Sequence, residues 1–108
     1  MQRTETPKSS GTPDKPEQKI LELTVNNHPG VMSHVCGLFS RRAFNMDGIL
    51  CMPVDDGRVS RIWIRVDING RLEQIVKQIR KLEDVQDVNY HDAGHEVFVR
   101  LEDYFEVS

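Results

Sequence analysis

From Lys19 to Val25 apolar and polar residues alternate, with Leu21, Leu23 and Val25 on one side and Glu22 and Thr24 on the other, the period-two pattern of a strand with one buried face. The period then lengthens. Val31, Met32, Val35, Leu38 and Phe39 recur at three-and-four spacing, with Ser33, His34, Ser40 and Arg41 opposite, which predicts a helix ending near Ala43. Residues 45–54 are rich in Ile49, Leu50, Met52 and Val54, and Asp55-Asp56-Gly57-Arg58 supplies turn residues that fold this run back as a hairpin. Its second arm sets Ile62, Ile64 and Val66 on a core face and Trp63, Arg65 and Asp67 on the other. After Asn69-Gly70, the positions of Leu72, Ile75, Val76, Ile79 and Leu82 mark the clearest amphipathic helix of the chain. Val85, Val88 and Tyr90 predict a fourth strand, His91 to Gly94 interrupts it, and the alternation of Val97, Val99 and Leu101 predicts one more short strand.

The order strand, helix, strand, strand, helix, strand predicts an α+β, ferredoxin-like βαββαβ domain: a four-stranded antiparallel sheet with two helices on one face. That leaves the other face to find cover elsewhere and exposes two edges, so a homodimer is expected. Residues 1–18, rich in Thr, Ser, Pro, Lys and Glu, bury too little to offset the entropy of ordering and read as a disordered leader. The domain proper then spans 19–90, and 91–108 form a C-terminal tail.

Composition narrows the classes. A chain of 108 residues at 38% hydrophobic composition supports one small core. The net charge of −3 gives no electrostatic reason to approach nucleic acid or an anionic membrane. The N-terminus offers no apolar signal segment, and no run approaches the ~20 apolar residues that span a bilayer, so a cytoplasmic location is expected. Cys36 and Cys51 form no C-x-x-C pair and lie among apolar neighbours, which suits buried thiols in a reducing compartment.

Chemistry concentrates where the first strand meets the first helix, at Asn26-Asn27-His28-Pro29-Gly30-Val31. A Pro-Gly corner opening a helix leaves backbone N–H groups without partners, a ready site for a carboxylate. The asparagine carbonyl oxygens could accept from an ammonium, so one loop offers both halves needed to hold an amino-acid zwitterion. The plainer reading is turn geometry alone, for which Asn, Pro and Gly are the usual residues. Asn45 is either a helix C-cap or a ligand contact. His91 and His95 stand at i, i+4, but Gly94 between them argues against a helical metal face, and no metal site is expected. Trp63, on the non-core face, is a candidate partner contact or is covered by the tail. Arg41 and Arg42 either favour the first helix's dipole or serve docking. An RNA-binding module of this topology would show aromatics on adjacent central strands in a basic surround, and Trp63 stands alone on an acidic chain. A small hydrolase would need a phosphate cradle, and the His28-Pro29-Gly30 loop has no Lys or Arg.

Ile20-Leu21-Glu22-Leu23-Thr24-Val25, Asn27-His28-Pro29-Gly30-Val31-Met32, His34-Val35-Cys36-Gly37-Leu38-Phe39 with Arg41-Arg42-Ala43-Phe44-Asn45, and Leu72-Glu73-Gln74-Ile75 with Lys81-Leu82-Glu83-Asp84-Val85 together carry a resemblance. From about Ile20 to Tyr90 the chain resembles the small regulatory subunits of acetohydroxyacid synthase (acetolactate synthase), built on an ACT domain, and is most similar to their short enterobacterial form. The resemblance implies a non-catalytic partner of a large subunit that carries thiamine diphosphate, Mg2+ and FAD and condenses two pyruvates, or pyruvate with 2-ketobutyrate. It implies that the small subunit raises that activity and confers feedback inhibition by L-valine. None of the cofactors is assigned to this chain. The implied effector site lies between two protomers, where Asn27, His28, Pro29, Gly30, Val31 and Met32 of one meet the second strand of the other. There the N–H groups of Gly30, Val31 and Met32 would face the valine carboxylate, the helix dipole adding about 0.3–1 kcal/mol. Asn27 and Asn45 are implied as side-chain partners, and Val35 with Ile49 or Leu50 as apolar walls. The alternative is an amino-acid-binding ACT module that regulates a different enzyme. Residues 91–108 match nothing in the family, and the second C-terminal domain of longer members is expected to be absent.

Overall fold

The computed structural model describes residues 17–105. Most of the expected leader therefore lies outside the described residues. Strand β1 (Gln18–Asn26) leads into helix α1 (Val31–Arg41), followed by β2 (Asn45–Val54), β3 (Val59–Asp67), α2 (Leu72–Arg80), β4 (Val85–Asp92) and α3 (Glu96–Phe105). The four strands form one sheet in the order β2-β3-β1-β4, every neighbouring pair antiparallel. This is the ferredoxin-like arrangement that the periodicities predict, with a third helix added.

The core is made by one face of the central strands. Leu21, Leu23 and Val25 of β1 and Ile62, Ile64 and Val66 of β3 are all fully buried, beneath Val31, Val35, Leu38 and Phe39 of α1 and Ile75 and Ile79 of α2. Each such side chain contributes about 1.5–3 kcal/mol by leaving water. A one-residue slip of β1 against β3 would turn all three β1 core residues to the wrong face, so the pattern of burial sets the register.

Helix α1 ends in a Schellman turn: Phe44 N–H donates to Phe39 O at 2.9 Å and Ala43 N–H to Ser40 O at 3.2 Å, with the Phe39 and Phe44 rings edge-on at 6.2 Å. Ala43 sits at the left-handed position, φ +60°, where glycine is usual. Asn45 is thus not the helix cap; it opens β2. The guanidinium of Arg71, just before α2, donates to Arg42 O and Ala43 O at 3.4 and 3.3 Å and lies 4.0 Å over the Phe44 ring. Arg42 itself donates to Gln78 Oε1 at 3.0 Å, which ties α1 to α2 and gives this residue a structural role.

The second sheet face corrects the sequence reading. Residues 97–101, expected as a strand, lie in helix α3. A five-residue run with four apolar positions fits both periods, because Phe98 and Leu101 are also i and i+3. The deciding constraint is tertiary: Ile20 is fully buried on the face away from the main core, beside Arg65, and Phe98, 5% exposed, packs on that face against Arg65 and Gly48. Arg65 stacks 5.4 Å over the Phe98 ring and donates to Glu102 Oε2 at 3.2 Å. Trp63 is half-buried under the same segment, its ring 5.0 Å from that of His95 and 5.5 Å from that of His91. Gly48 of β2 is where the backbone must come close, since a Cβ there would stand 2.8 Å from Phe98 Cε1. The thiols also differ from expectation. Both are free, but Cys36 is only half-buried and Cys51 is exposed, opposite Ile62 on the edge strand β2.

Replacing Ala43 by Gly removes the left-handed strain and should stabilise the fold by about 0.5–1 kcal/mol, read as a higher urea midpoint at unchanged slope. Gly48→Ala should cost about 1–3 kcal/mol by overpacking and red-shift Trp63 emission as α3 lifts, with the far-UV signature of the sheet retained.

Candidate effector site

The β1–α1 loop is held from both sides before it reaches the helix. Asn26 N–H donates to Asp84 O at 2.8 Å, and Asn27 N–H donates to Arg58 O at 2.9 Å. The Asn27 side-chain amide donates to Gly57 O at 2.7 Å, and its carbonyl oxygen has no donor among the described residues. Gly30 is the N-cap, with φ +89° and ψ −10°, in the left-handed region that favours glycine. It has no side chain to cap the helix, and its carbonyl already accepts from His34 N–H at 3.1 Å. Val31 N–H folds back to His28 O at 3.3 Å. Met32 and Ser33 N–H have no backbone acceptor among the described residues. The donors that face outward are therefore those of Met32 and Ser33, with Gly30 exposed beside them, and Val31 drops out of the expected trio.

The structure separates the remaining expected residues. Asn45 pairs across β3 with Asp67, at the end of the sheet where β1 begins, whereas Asn27 follows the end where β1 stops. Eight residues of strand at ~3.3 Å each put those ends roughly 26 Å apart. Within one chain, Asn45 cannot share a ligand with the loop; its amide donates to Asp67 Oδ2 at 3.1 Å. It belongs to a polar network in which Gln18 bridges Asp47 and Asp67 at 2.9 and 2.8 Å, and Arg65 donates to Asp47 at 2.8 Å. Burial pushes the Asp47 carboxyl up, but the Arg65 and Gln18 hydrogen bonds outweigh it and hold the group below its usual range. Ile49 is 39% exposed on the helix side of β2. Leu50, its neighbour, faces the other way, into a groove of about 310 Å³ lined also by Phe98, Leu101 and Phe105. Val35 is fully buried in the core, at the wall of a small cavity of about 90 Å³ that Val31, His34, Leu82, Asp84 and Val85 also line. Of the expected apolar walls, Ile49 is the exposed one on the helix side of β2, and Val35 lines the cavity beside Asp84.

Two residues that sequence reasoning did not connect to the loop complete it. His28 Nε2 lies 2.6 Å from Asp84 Oδ2, and the exposed ring of His34 approaches the same oxygen at 3.7 Å. Asp84 follows α2, 56 residues beyond His28 in sequence, so no local pattern announces the pair. Hydrogen bonding to Asp84, then to the Pro29 carbonyl, raises the His28 imidazole above its ordinary value, and His28 in turn holds the Asp84 carboxyl below its own. The histidine's contribution is complete below its unfolded-state value and fades as pH climbs through the raised folded one. The aspartate's is present above its unfolded value and fades as pH falls through the depressed one. Their joint contribution is thus greatest between the two. Among the described residues, no group of three or more His, Cys, Asp or Glu side chains has the geometry to hold a metal ion. No helix among them is long and apolar enough to cross a membrane.

Residues 21–87 match the family described as "AHAS small subunit-like ACT domain". The chain is 54% identical over 87 residues, covering 81% of its own length and 91% of the relative's, to the acetolactate synthase isozyme 1 small subunit of Escherichia coli K12. It is 41% identical over 80 residues to the acetolactate synthase small subunit of Haemophilus influenzae, covering 72% of this chain and 49% of that longer relative. The crystal structure of the acetolactate synthase small subunit from Thermotoga maritima superimposes with a TM-score of 0.66 at 36% identity, over 73% of this chain and 50% of that one.

Asn27→Ala should cost about 0.5–1.5 kcal/mol and speed amide exchange from Gly30 to Ser33 while leaving that of β1 unchanged, because it cuts the anchor to Gly57 without touching the core.

Proposed function

The chain belongs to the AHAS small subunit-like ACT domain family, AHAS being acetohydroxyacid (acetolactate) synthase, and from that premise we propose that it activates a catalytic large subunit and makes it sensitive to feedback by L-valine. It is a regulatory subunit by family. The reading places the condensation of 2-keto acids, with thiamine diphosphate, Mg2+ and FAD, on the partner chain.

One observation carries the effector half of the proposal: the Gly30-capped mouth of α1, with Met32 and Ser33 N–H without an acceptor among the described residues and Asn27 on the loop that leads into it. This is an acceptor and a pair of donors on one short segment, and the helix dipole favours a carboxylate at the donors. The distance between loop and Asn45 within one chain supports a site closed by a second copy, whose β2, an edge strand, brings Asn45 and Ile49 to the loop. Valine held across two protomers would stiffen them into one sheet. It inhibits only as far as it binds the inhibiting form better, typically by ~1–3 kcal/mol.

Calorimetric titration with L-valine, against D-valine and L-lysine, should give saturable binding of L-valine alone. Gly30→Asp should abolish valine inhibition of the reconstituted synthase and keep activation, because the new carboxylate competes for the same donors. Gly30→Asn, nearly isosteric and tolerant of the left-handed backbone, should keep most of the inhibition. Inhibition that survives Gly30→Asp at full strength overturns the site. Binding of a different amino acid in place of valine would point to an ACT module that serves another enzyme.

A further inference from the structure

The His28 ring stands between two groups that can only accept. Its Nδ1 lies 2.6 Å from Pro29 O, and its Nε2 lies 2.6 Å from Asp84 Oδ2. A neutral imidazole has one N–H and can satisfy only one of these; the imidazolium, with two, satisfies both. Asp84 is anchored in its own right, its side chain 20% exposed and its backbone carbonyl accepting from Asn26 N–H at 2.8 Å. The clamp thus ties the turn immediately before Gly30 to a fixed point at the end of α2. The charged groups that face the ring are Asp84 and Glu83 from the α2–β4 connection and His34 from α1, whose ring stands edge-on at 6.5 Å. No cation among these competes for Asp84 as closely as His28 does, since His34 lies at 3.7 Å.

We propose that His28 is a positioning residue whose imidazolium clamps the β1–α1 loop to Asp84, so that the loop's grip on an effector carboxylate is coupled to uptake of a proton. The effector part rests on the reading of the loop given above. With His28 charged, both contacts hold and the Pro29-Gly30 corner is set with the Met32 and Ser33 donors aimed outward. With His28 neutral, one ring nitrogen turns a lone pair toward an oxygen only 2.6 Å away, and the corner must move. Carboxylate binding and protonation then favour the same loop state, and each must strengthen the other. The direction follows: affinity weakens as pH rises through the folded-state titration of His28, by at most about tenfold per pH unit for one linked proton.

The test is a pH series on the full chain with two readouts. In NMR, the Met32 and Ser33 amides of the ligand-free protein should titrate with the same midpoint as the His28 ring, and that midpoint should fall in Asp84→Asn. In calorimetry, L-valine binding should weaken with rising pH and take up protons, the dependence flattening in His28→Gln and persisting in His34→Gln. Amides that ignore the His28 titration overturn the clamp, whether or not valine binds. Valine affinity that is independent of pH while the amides follow His28 overturns the coupling. Amides that follow His28 in a chain that binds no valine at any pH uphold the clamp and overturn the valine reading alone.

Discussion

Strand β1 has no free edge: it pairs with β3 from Gln18 to Asn26 and with β4 from Lys19 to Val25, while Leu21, Leu23 and Val25 are buried against the helices and Ile20 on the opposite face. A strand held on both edges and both faces cannot slide without exposing Leu21, Leu23 and Val25 together, so its end is a fixed point in the molecule. The β1–α1 loop begins there. A loop that must present backbone donors to a small ligand is of use only if its first residue does not wander, and Asn26 and Asn27 extend that fixity by bonding to the α2–β4 connection and the β2–β3 turn.

The two sheet faces are built to different standards. The helix face holds a continuous apolar core, with Leu21, Ile62, Ile64, Ile75 and Ile79 wholly excluded from water. The α3 face buries little beyond Ile20 and Phe98 and depends on Arg65, which joins Asp47 of the β2 bulge to Glu102 of α3 while stacking on Phe98. Tyr104 and Phe105, 78% and 83% exposed, continue α3 beyond that contact. The domain's cohesion therefore resides on one side, and the cover on the other contributes less to it. A regulatory module gains from this asymmetry, because elements that move are drawn from the less stable end of a fold.

Loop and β2 residues that the family resemblance unites are about one sheet length apart in a single chain. That separation is itself informative about mechanism. In the site proposed above a second copy of the chain supplies the far end of the sheet, and a ligand held there would report on assembly as well as on concentration. Edge strand β2, with Ile49 and Met52 exposed at 39% and 64%, is the element such a copy would meet.

Much of this was legible in the chain. Period-two runs at Leu21, Leu23 and Val25 and at Ile62, Ile64 and Val66, and helical spacing at Ile75 and Ile79, determine strands, helices and their buried faces, because burial is a local consequence of side-chain periodicity. The Pro-Gly corner determines where a helix opens with unpartnered donors. Only the tertiary structure decided that 97–101 is helical, since that short run fits either period and the choice belongs to the uncovered face beside Ile20. It alone turned the Val31 N–H back to His28 O, and it alone joined His28 to Asp84 across 56 residues of sequence, because a contact between two loop ends depends on where four strands put them.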